Sequence, residues 1–436
     1  MMGLSLAGRQ SARQRHMLCD PSSIVLRLLR NRDLTLLVSG QAISEIGDGV
    51  FLVAIAWRVY QSYSSPAALS VIGIAFFLPR LLVTIAGGVI SDRFERRLTM
   101  IGADSARAVA VALLAAISML TGPQLLIAMA IVVAFQGVAG SLFGPAESAL
   151  LPEIVPQQDL GRANALRTVV SPLAYAVIGP ALGGTTTARF GVSAALWFDA
   201  GTYLVSVATL VVMRSRPLVK TNERASMFGE ARQGIAYVAG RPWLWGPIVG
   251  ASLAQFLYAG PQQALVPYLV KFELHGSAGA LGLVLSAGGV GTVAAGLLVG
   301  RLRRPKDLVT PMVLGWAVGI GSIALVGLSR TVWQAAVAVF VWNLLLWTGE
   351  ILWLTLLGLT VPNQIRGRVS SLDFLGSFWL IPLSMALTGP LASLVGARTV
   401  LMAAGIGGGL AILAIFLIPN VRKPRYLDEE AATARA

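Results

Sequence analysis

The chain has 436 residues, 56% of them hydrophobic and only 12% charged, with a mean hydropathy of +0.73. Soluble domains carry about 25% charged residues, so this composition excludes an ordinary soluble fold and points to a polytopic membrane protein. The net charge is +14, but the arginines are spread between apolar segments and form no single basic face, so no nucleic-acid partner is expected.

In chain order, residues 1–33 come first and hold six arginines. They contain no apolar core of signal-peptide length, so they read as a basic cytoplasmic tail ahead of an uncleaved first span. A helix needs about 20 apolar residues to cross ~30 Å of hydrocarbon. Twelve such runs follow, over 34–60, 67–90, 98–121, 124–151, 166–188, 193–213, 243–270, 279–300, 308–328, 332–358, 373–395 and 397–418. The polar stretch 214–242 carries six basic residues and separates six spans from six. The expected organisation is an N-terminal six-helix bundle (34–213), a cytoplasmic linker (214–242) with a surface helix near 228–238, a C-terminal six-helix bundle (243–418) and a cytoplasmic tail (419–436).

The charges orient these spans. With both termini in the cytoplasm, 27 of the 34 Lys and Arg residues fall on the cytoplasmic side. Five fall outside (Arg58, Arg189, Lys271, Arg330, Arg398) and two within spans (Arg80, Arg107). That bias obeys the positive-inside rule and predicts a multi-pass protein of the cell (inner) membrane. The single cysteine, Cys19, allows no disulfide within the chain, and the two histidines, His16 and His275, lie outside the apolar runs. Neither a metal site nor a cofactor is expected.

A dense charged knot, GGVISDRFERR at 87–97, follows the second span, and GLLVGRLRR at 296–304 repeats its pattern 208 positions later without the aspartate. After the fourth and tenth spans, Val155-Pro156 followed by Gly161-Arg162 matches Val361-Pro362 followed by Gly367-Arg368, 206 positions on. Two nearly equal offsets at helix ends on one membrane side argue for duplicated halves, a recurring transporter architecture.

The run Gly88, Asp92, Arg93, Arg96, Arg97 resembles the signature between helices 2 and 3 of the major facilitator superfamily, and span count and linker fit across nearly the whole chain. The resemblance implies an all-α membrane fold of twelve transmembrane helices in two pseudo-symmetric bundles. It also implies that the knot is a cytoplasmic gate joining the two halves. Glu95 stands where the family often has glycine. The stretches FGPAESALLPEIVP (143–156), ANAL (163–166) and VPNQIRGRVSS (361–371) resemble the macrolide-efflux and siderophore-exporter branch of drug:proton antiporters. GPALGG, with Gly179, Pro180, Gly183 and Gly184, is similar to the core of an antiporter motif, although Tyr175 replaces its usual preceding glycine. The same small residues would serve close helix packing.

Polar side chains at helical spacing mark four spans: Gln41, Glu45 and Asp48 in the first, Gln136, Phe143 and Glu147 in the fourth, Gln255, Tyr258 and Gln262 in the seventh, and Asn343, Trp347 and Glu350 in the tenth. These occupy equivalent places in each three-helix group, so the four faces are expected to meet around a wet substrate cavity, with Glu147 alternatively part of the gate. An ionised side chain at a helix centre costs about 2.5–3.5 kcal/mol. A carboxyl that is neutral when sealed and ionised when wet carries protons, so Glu45, Asp48 and Glu350 are the candidates for proton coupling. The alternative is a permanent pair with Arg80 or Arg107. Asp104 and Arg107 read as a structural pair, Arg80 as a possible anion binder, and Asp199 as a surface residue at the outer start of the sixth span.

No phosphate-binding loop or ATPase-sized segment exists, so energy must come from an ion gradient. The leading expectation is a monomeric secondary transporter. It exports a hydrophobic or amphipathic small molecule (a drug, antibiotic or secondary metabolite) by proton antiport with alternating access. A siderophore or lysophospholipid exporter, or a solute importer, is the alternative. A membrane-embedded enzyme is not expected, because no histidine, cysteine or metal cluster accompanies the acids.

Overall fold

The computed structural model describes residues 30–91, 95–118, 120, 122–214, 227–301 and 307–424, excluding the side chains of 84–91, 123 and 227–231. Within these the chain is helical throughout, without a strand. A bilayer core offers no water to unpaired backbone, and helices satisfy their own N–H and C=O groups.

Ten helical segments are long and apolar enough to cross a membrane. One of them, Gln157–Val212, runs for 56 residues, about 84 Å at 1.5 Å per residue, more than any bilayer needs. It is broken at Gly191, whose φ of 85° and ψ of 169° suit only glycine. The 27-residue helix Pro242–Tyr268 is also long enough, its hydropathy diluted by prolines and glutamines. The segments of spanning length thus come close to the twelve expected. In order they are Arg32–Ser62, Pro66–Ser91, Arg96–Ile117, Pro123–Ile154, 157–190, 192–212, Pro242–Tyr268, Ala278–Arg301, Val309–Leu328, Val332–Thr360, Asn363–Val395 and Ala397–Leu417. Below they are the first to twelfth spans. The fifth and eleventh begin earlier than their apolar runs, because amphipathic turns carrying Arg162, or Arg366 and Arg368, precede the oil.

The duplication is visible in the backbone. Gly191 and Gly396, 205 positions apart, take the same positive φ of 85° between the fifth and sixth and the eleventh and twelfth spans. Pro156 and Pro362 precede the fifth and eleventh spans with φ and ψ of −56° and 143°, and −55° and 143°. The halves are two packed bundles. In the first, spans 1, 5 and 6 pack together, as do spans 2, 3 and 4, with spans 3 and 6 joining the groups. In the second, spans 8, 9 and 10 and spans 7, 11 and 12 repeat this plan, with spans 9 and 12 in contact. The linker carries a helix, Met227–Ala239, close to the expected 228–238. It lies against the eleventh span and the end of the tenth: Arg368 donates to Gln233 at 2.6 Å, and Tyr237 donates to the Thr360 carbonyl at 3.3 Å.

The bundles meet from mid-span outward to the face opposite the linker, here the far face. The Tyr60 hydroxyl donates to the Ala264 carbonyl at 2.7 Å, and its ring meets Tyr268 and Phe272 edge-on at 5.6 and 5.8 Å. Lys271 stands 4.7 Å from the ring of Trp57, a cation–π contact. Ser286 donates to the Val177 carbonyl at 2.9 Å. Small residues allow this approach: Cβ atoms on Gly282, Gly389 and Gly289 would fall 2.5 Å from Pro180 O, 2.6 Å from Ala67 Cα and 2.1 Å from Ala176 O. Two of the expected outer arginines fasten far-face turns. Arg58 donates to the carbonyls of Ser118 and Leu120, both at 2.8 Å, and Arg398 pairs with Glu273 and donates to the Gly327 and Ser329 carbonyls.

Gly289 meets backbone that cannot yield cheaply, so Gly289→Leu should force the fifth and eighth spans apart at an overpacking cost of about 1–3 kcal/mol. The expected result is faster labelling of a cysteine at position 263 by a membrane-impermeant thiol reagent applied to the far face. Unchanged protection would contradict this account of the seal.

Candidate functional site

A cavity of about 650 Å³ lies between the bundles, large enough for a drug-sized molecule. From the first bundle it is lined by Gln41, Ser44, Glu45 and Asp48 of the first span, Phe76, Phe77 and Arg80 of the second, and Arg107 of the third. Gln136, Phe143 and Glu147 of the fourth span and Ser171 and Tyr175 of the fifth complete that side. Tyr175 sits in a π-helical turn, Leu173–Ile178, a distortion found often at functional sites. The second bundle contributes Gln262, Gln263, Pro267, Leu285, Phe374, Phe378, Ile381, Pro382 and Met385. Every ionisable group in the described wall therefore belongs to the first bundle.

Those groups form two clusters. Toward the linker side, Ser171 donates to Glu45 at 2.7 Å, and Arg167 pairs with the buried Glu147 at 2.5 Å. No cation among the described residues lies within ion-pair distance of Glu45. Deeper in, Arg107 donates to Asp48 at 2.5 Å and approaches Asp104 at 3.4 Å, its guanidinium 4.3 Å from the ring centre of Tyr203. The Tyr203 hydroxyl donates to Asp48, Ser206 donates to Asp104 at 2.6 Å, and Gln136 donates to Tyr203 at 3.4 Å. Charges removed from water survive only when paired and hydrogen-bonded, and this network supplies both. Asp48 and Arg107 form the pair weighed as the alternative to free coupling groups. Arg80 sits on the cavity wall 5.6 Å from the Phe76 ring centre.

The structure separates residues that the polar stripes place together. Gln255, Tyr258 and Glu350 line a different pocket, about 70 Å³, inside the second bundle, with Trp316, Trp353 and Asp373. Trp353 and Ser377 donate to Asp373 there, at 3.0 and 3.4 Å. Asn343 donates to its own Val339 carbonyl and packs against Gly288, and Trp347 is 41% exposed; neither lines either space. The cause is glycine packing. Cβ atoms on Gly319 and Gly349 would meet Leu346 N and Trp316 at 2.6 Å, so the ninth and tenth spans touch and the tenth turns its polar face into its own bundle. Spans 2 and 11 take its place on the wall. Their apolar and aromatic stripes gave no polar signal.

Asp199 is a second correction. It is fully buried, not at the surface: the sixth span begins at 192, one residue from the expected 193, and Asp199 packs there against Gly47 of the first span. Of the knot, Gly88 lies in the second span, and Asp92 and Arg93 lie outside the described residues. Arg96 pairs with Glu153, and Arg97 donates to the Leu210 and Val211 carbonyls at 2.6 and 2.7 Å. Both contacts stay within the first bundle, where a latch between halves was expected. Gly179, Gly183 and Gly184 sit against Gly49, Val50 and Gly282, and Pro180 presents its carbonyl to Gly282. That stretch packs the fifth span on the first and eighth.

Asp48→Asn would leave Arg107 short of its closest partner. The expected loss is about 3 kcal/mol, the low end for a broken buried pair because Asp104 still faces the guanidinium. The thermal midpoint of the purified protein should fall, and the double replacement Asp48→Asn with Arg107→Met should recover part of it. A midpoint unmoved by Asp48→Asn would contradict the pairing.

The profile of the Major Facilitator Superfamily matches residues 37–381. The multidrug efflux pump Tap of Mycolicibacterium fortuitum is 26% identical over 393 residues, covering 86% of this chain and 93% of Tap. Macrolide efflux protein A of Streptococcus pyogenes is 23% identical over 415 residues, covering 89% of this chain and 96% of that protein. The solved structure of a bacterial homolog of the human lysosomal transporter Spinster superposes with a TM-score of 0.70 at 14% identity, over 90% of this chain and 98% of that one. A helical, multi-pass fold of two bundles around a cavity and a family match over most of its length lead to one conclusion: the chain belongs to the Major Facilitator Superfamily of transporters, which are not enzymes.

Proposed function

We propose that this transporter exports a hydrophobic or amphipathic small molecule, a drug, antibiotic or secondary metabolite, by proton antiport with alternating access. It works as a monomer in the cell membrane with both termini cytoplasmic. The observation that carries this reading is the division of the cavity wall. Phe374, Phe378, Ile381 and Met385 offer an apolar, aromatic surface on one side, and Glu45, Asp48, Arg80 and Arg107 offer charge on the other. An amphipathic guest fits between them, its apolar body released from water and its polar group met by fixed charges. The similarity to Tap and to macrolide efflux protein A supports efflux as the direction.

Proton coupling is assigned to Glu45 and Asp48. Glu45 faces the cavity with Ser171 as its donor, so it is free to exchange a proton with cavity water. Asp48 is tied to Arg107, and a proton there would release the guanidinium and reorganise the cluster. Either change favours one open side over the other by its differential interaction with the two states. Glu350, enclosed with Trp316 and Trp353, is relieved of the substrate-facing role. The charged stretch at 92–97 remains the proposed cytoplasmic gate.

Deleting the gene should raise susceptibility to a subset of amphipathic compounds, and a protonophore should abolish the difference between strains. A difference that survives the protonophore overturns antiport; no difference for any compound overturns export. In proteoliposomes loaded with a compound so identified, Glu45→Gln should abolish uphill transport and keep exchange, whereas Glu350→Gln should keep both. The reverse result would return the coupling role to Glu350.

A further inference from the structure

The sixth span carries an acid that the transport reading above does not use. Asp199 is fully buried. Its Oδ1 receives one long bond, 3.4 Å from the Thr202 hydroxyl, and its Oδ2 has no hydrogen-bond partner. It presses against the first span, where a Cβ on Gly47 would lie 2.4 Å from Oδ1. Asp48 is the next residue on that span, and Tyr203, one turn along from Asp199, donates to Asp48. A second orphan acceptor belongs to the same cluster: Oε1 of the buried Gln136, whose Nε2 reaches Tyr203.

The charged and titratable groups facing Asp199 are Asp48 of the first span, Arg107 of the third, and Tyr203 of its own. Asp104, also on the third span, shares Arg107. Arg107 already serves Asp48 and Asp104, so a third carboxylate has no counter-charge of its own. Stabilising a buried carboxylate takes several donors or a paired cation. Asp199 has one weak donor. A proton on Asp199 removes the charge that this setting leaves uncompensated.

We propose that Asp199 holds a proton in this conformation and is a second proton site of the transport cycle, sealed behind the first and sixth spans. With the proton in place the carboxyl is neutral and the two spans close over it. When the cluster reorganises, the proton passes to the Asp48 carboxylate, which reaches the cavity, and from there to water. The Asp199 carboxylate left behind repels its neighbours across Gly47 and loosens that seam. The role in the cycle rests on the antiport reading; the protonation state does not.

The test uses the full chain reconstituted in liposomes. Infrared spectra at neutral pH should show a protonated-carboxyl C=O component in the wild type that Asp199→Asn removes and Asp48→Asn retains. Asparagine mimics the neutral acid, so Asp199→Asn should fold; aggregation of this variant where wild type is monodisperse overturns the proposal, as does an unchanged infrared band. For the cycle, Cys19→Ser with Leu52→Cys places one thiol on the cavity wall. Its labelling rate by a water-soluble maleimide should change by about fivefold between acid and alkaline pH, and Asp199→Asn should flatten that dependence. A lost infrared component with the pH dependence intact overturns the cycle role and leaves antiport through Glu45 standing.

Discussion

Arg107 sits inside the first bundle with Asp48 on one side and Asp104 on the other, under the ring of Tyr203. A guanidinium there has little water to turn to, so its charge must be met by protein: its terminal nitrogens reach Asp48 and Asp104, while its Nε has no acceptor among the described residues. That demand fixes the mutual rotation of the first, third and sixth spans. Each contributes a group to the cluster, and turning any one of them would strand a charge in the bundle interior. The cavity wall inherits its geometry from this arrangement, because Asp48 belongs to the cluster and to the wall at once.

Glycine sets how closely the spans approach. Where the first span meets the fifth and sixth, Gly40, Gly47 and Gly49 leave room for Thr209, Asp199, Thr202 and Gly179. The crossing of the fifth and eighth spans uses Gly184, Gly282 and Gly289 in the same way. Lipid tails are as apolar as leucine, so helices in a bilayer gain from backbone approach and van der Waals contact more than from hiding oil. The many glycines that look like helix breakers in a soluble context are packing devices in this one.

The spans and their duplication were legible in the sequence because bilayer thickness sets a length that apolar runs must reach. Helix starts were less so. Arg162, or Arg366 and Arg368, belong to the same helices as the oil that follows them but read as loop. In the cavity, polar spacing alone drew attention to Gln41, Glu45, Asp48 and Gln136, all of which line it. It misled for Asn343, Trp347 and Glu350, because periodicity gives a helix its faces but not the direction in which packing turns them. Phe76, Phe374 and Phe378 were invisible for the opposite reason: an apolar residue on a cavity wall has the same letter as one facing lipid. Asp199 escaped because its burial comes from packing against Gly47 of the first span, which the start of its own helix does not reveal.

The one-sided wall has an evolutionary corollary. A substitution at Phe374, Phe378, Ile381 or Met385 alters the volume and contour offered to cargo without adding or deleting a titratable side chain. The range of compounds accepted can therefore drift in one half of the molecule while the charged half is inherited intact. Duplicated ancestry supplied two equivalent scaffolds, and the descendant lines its cavity with apolar and aromatic groups from one and with charged groups from the other.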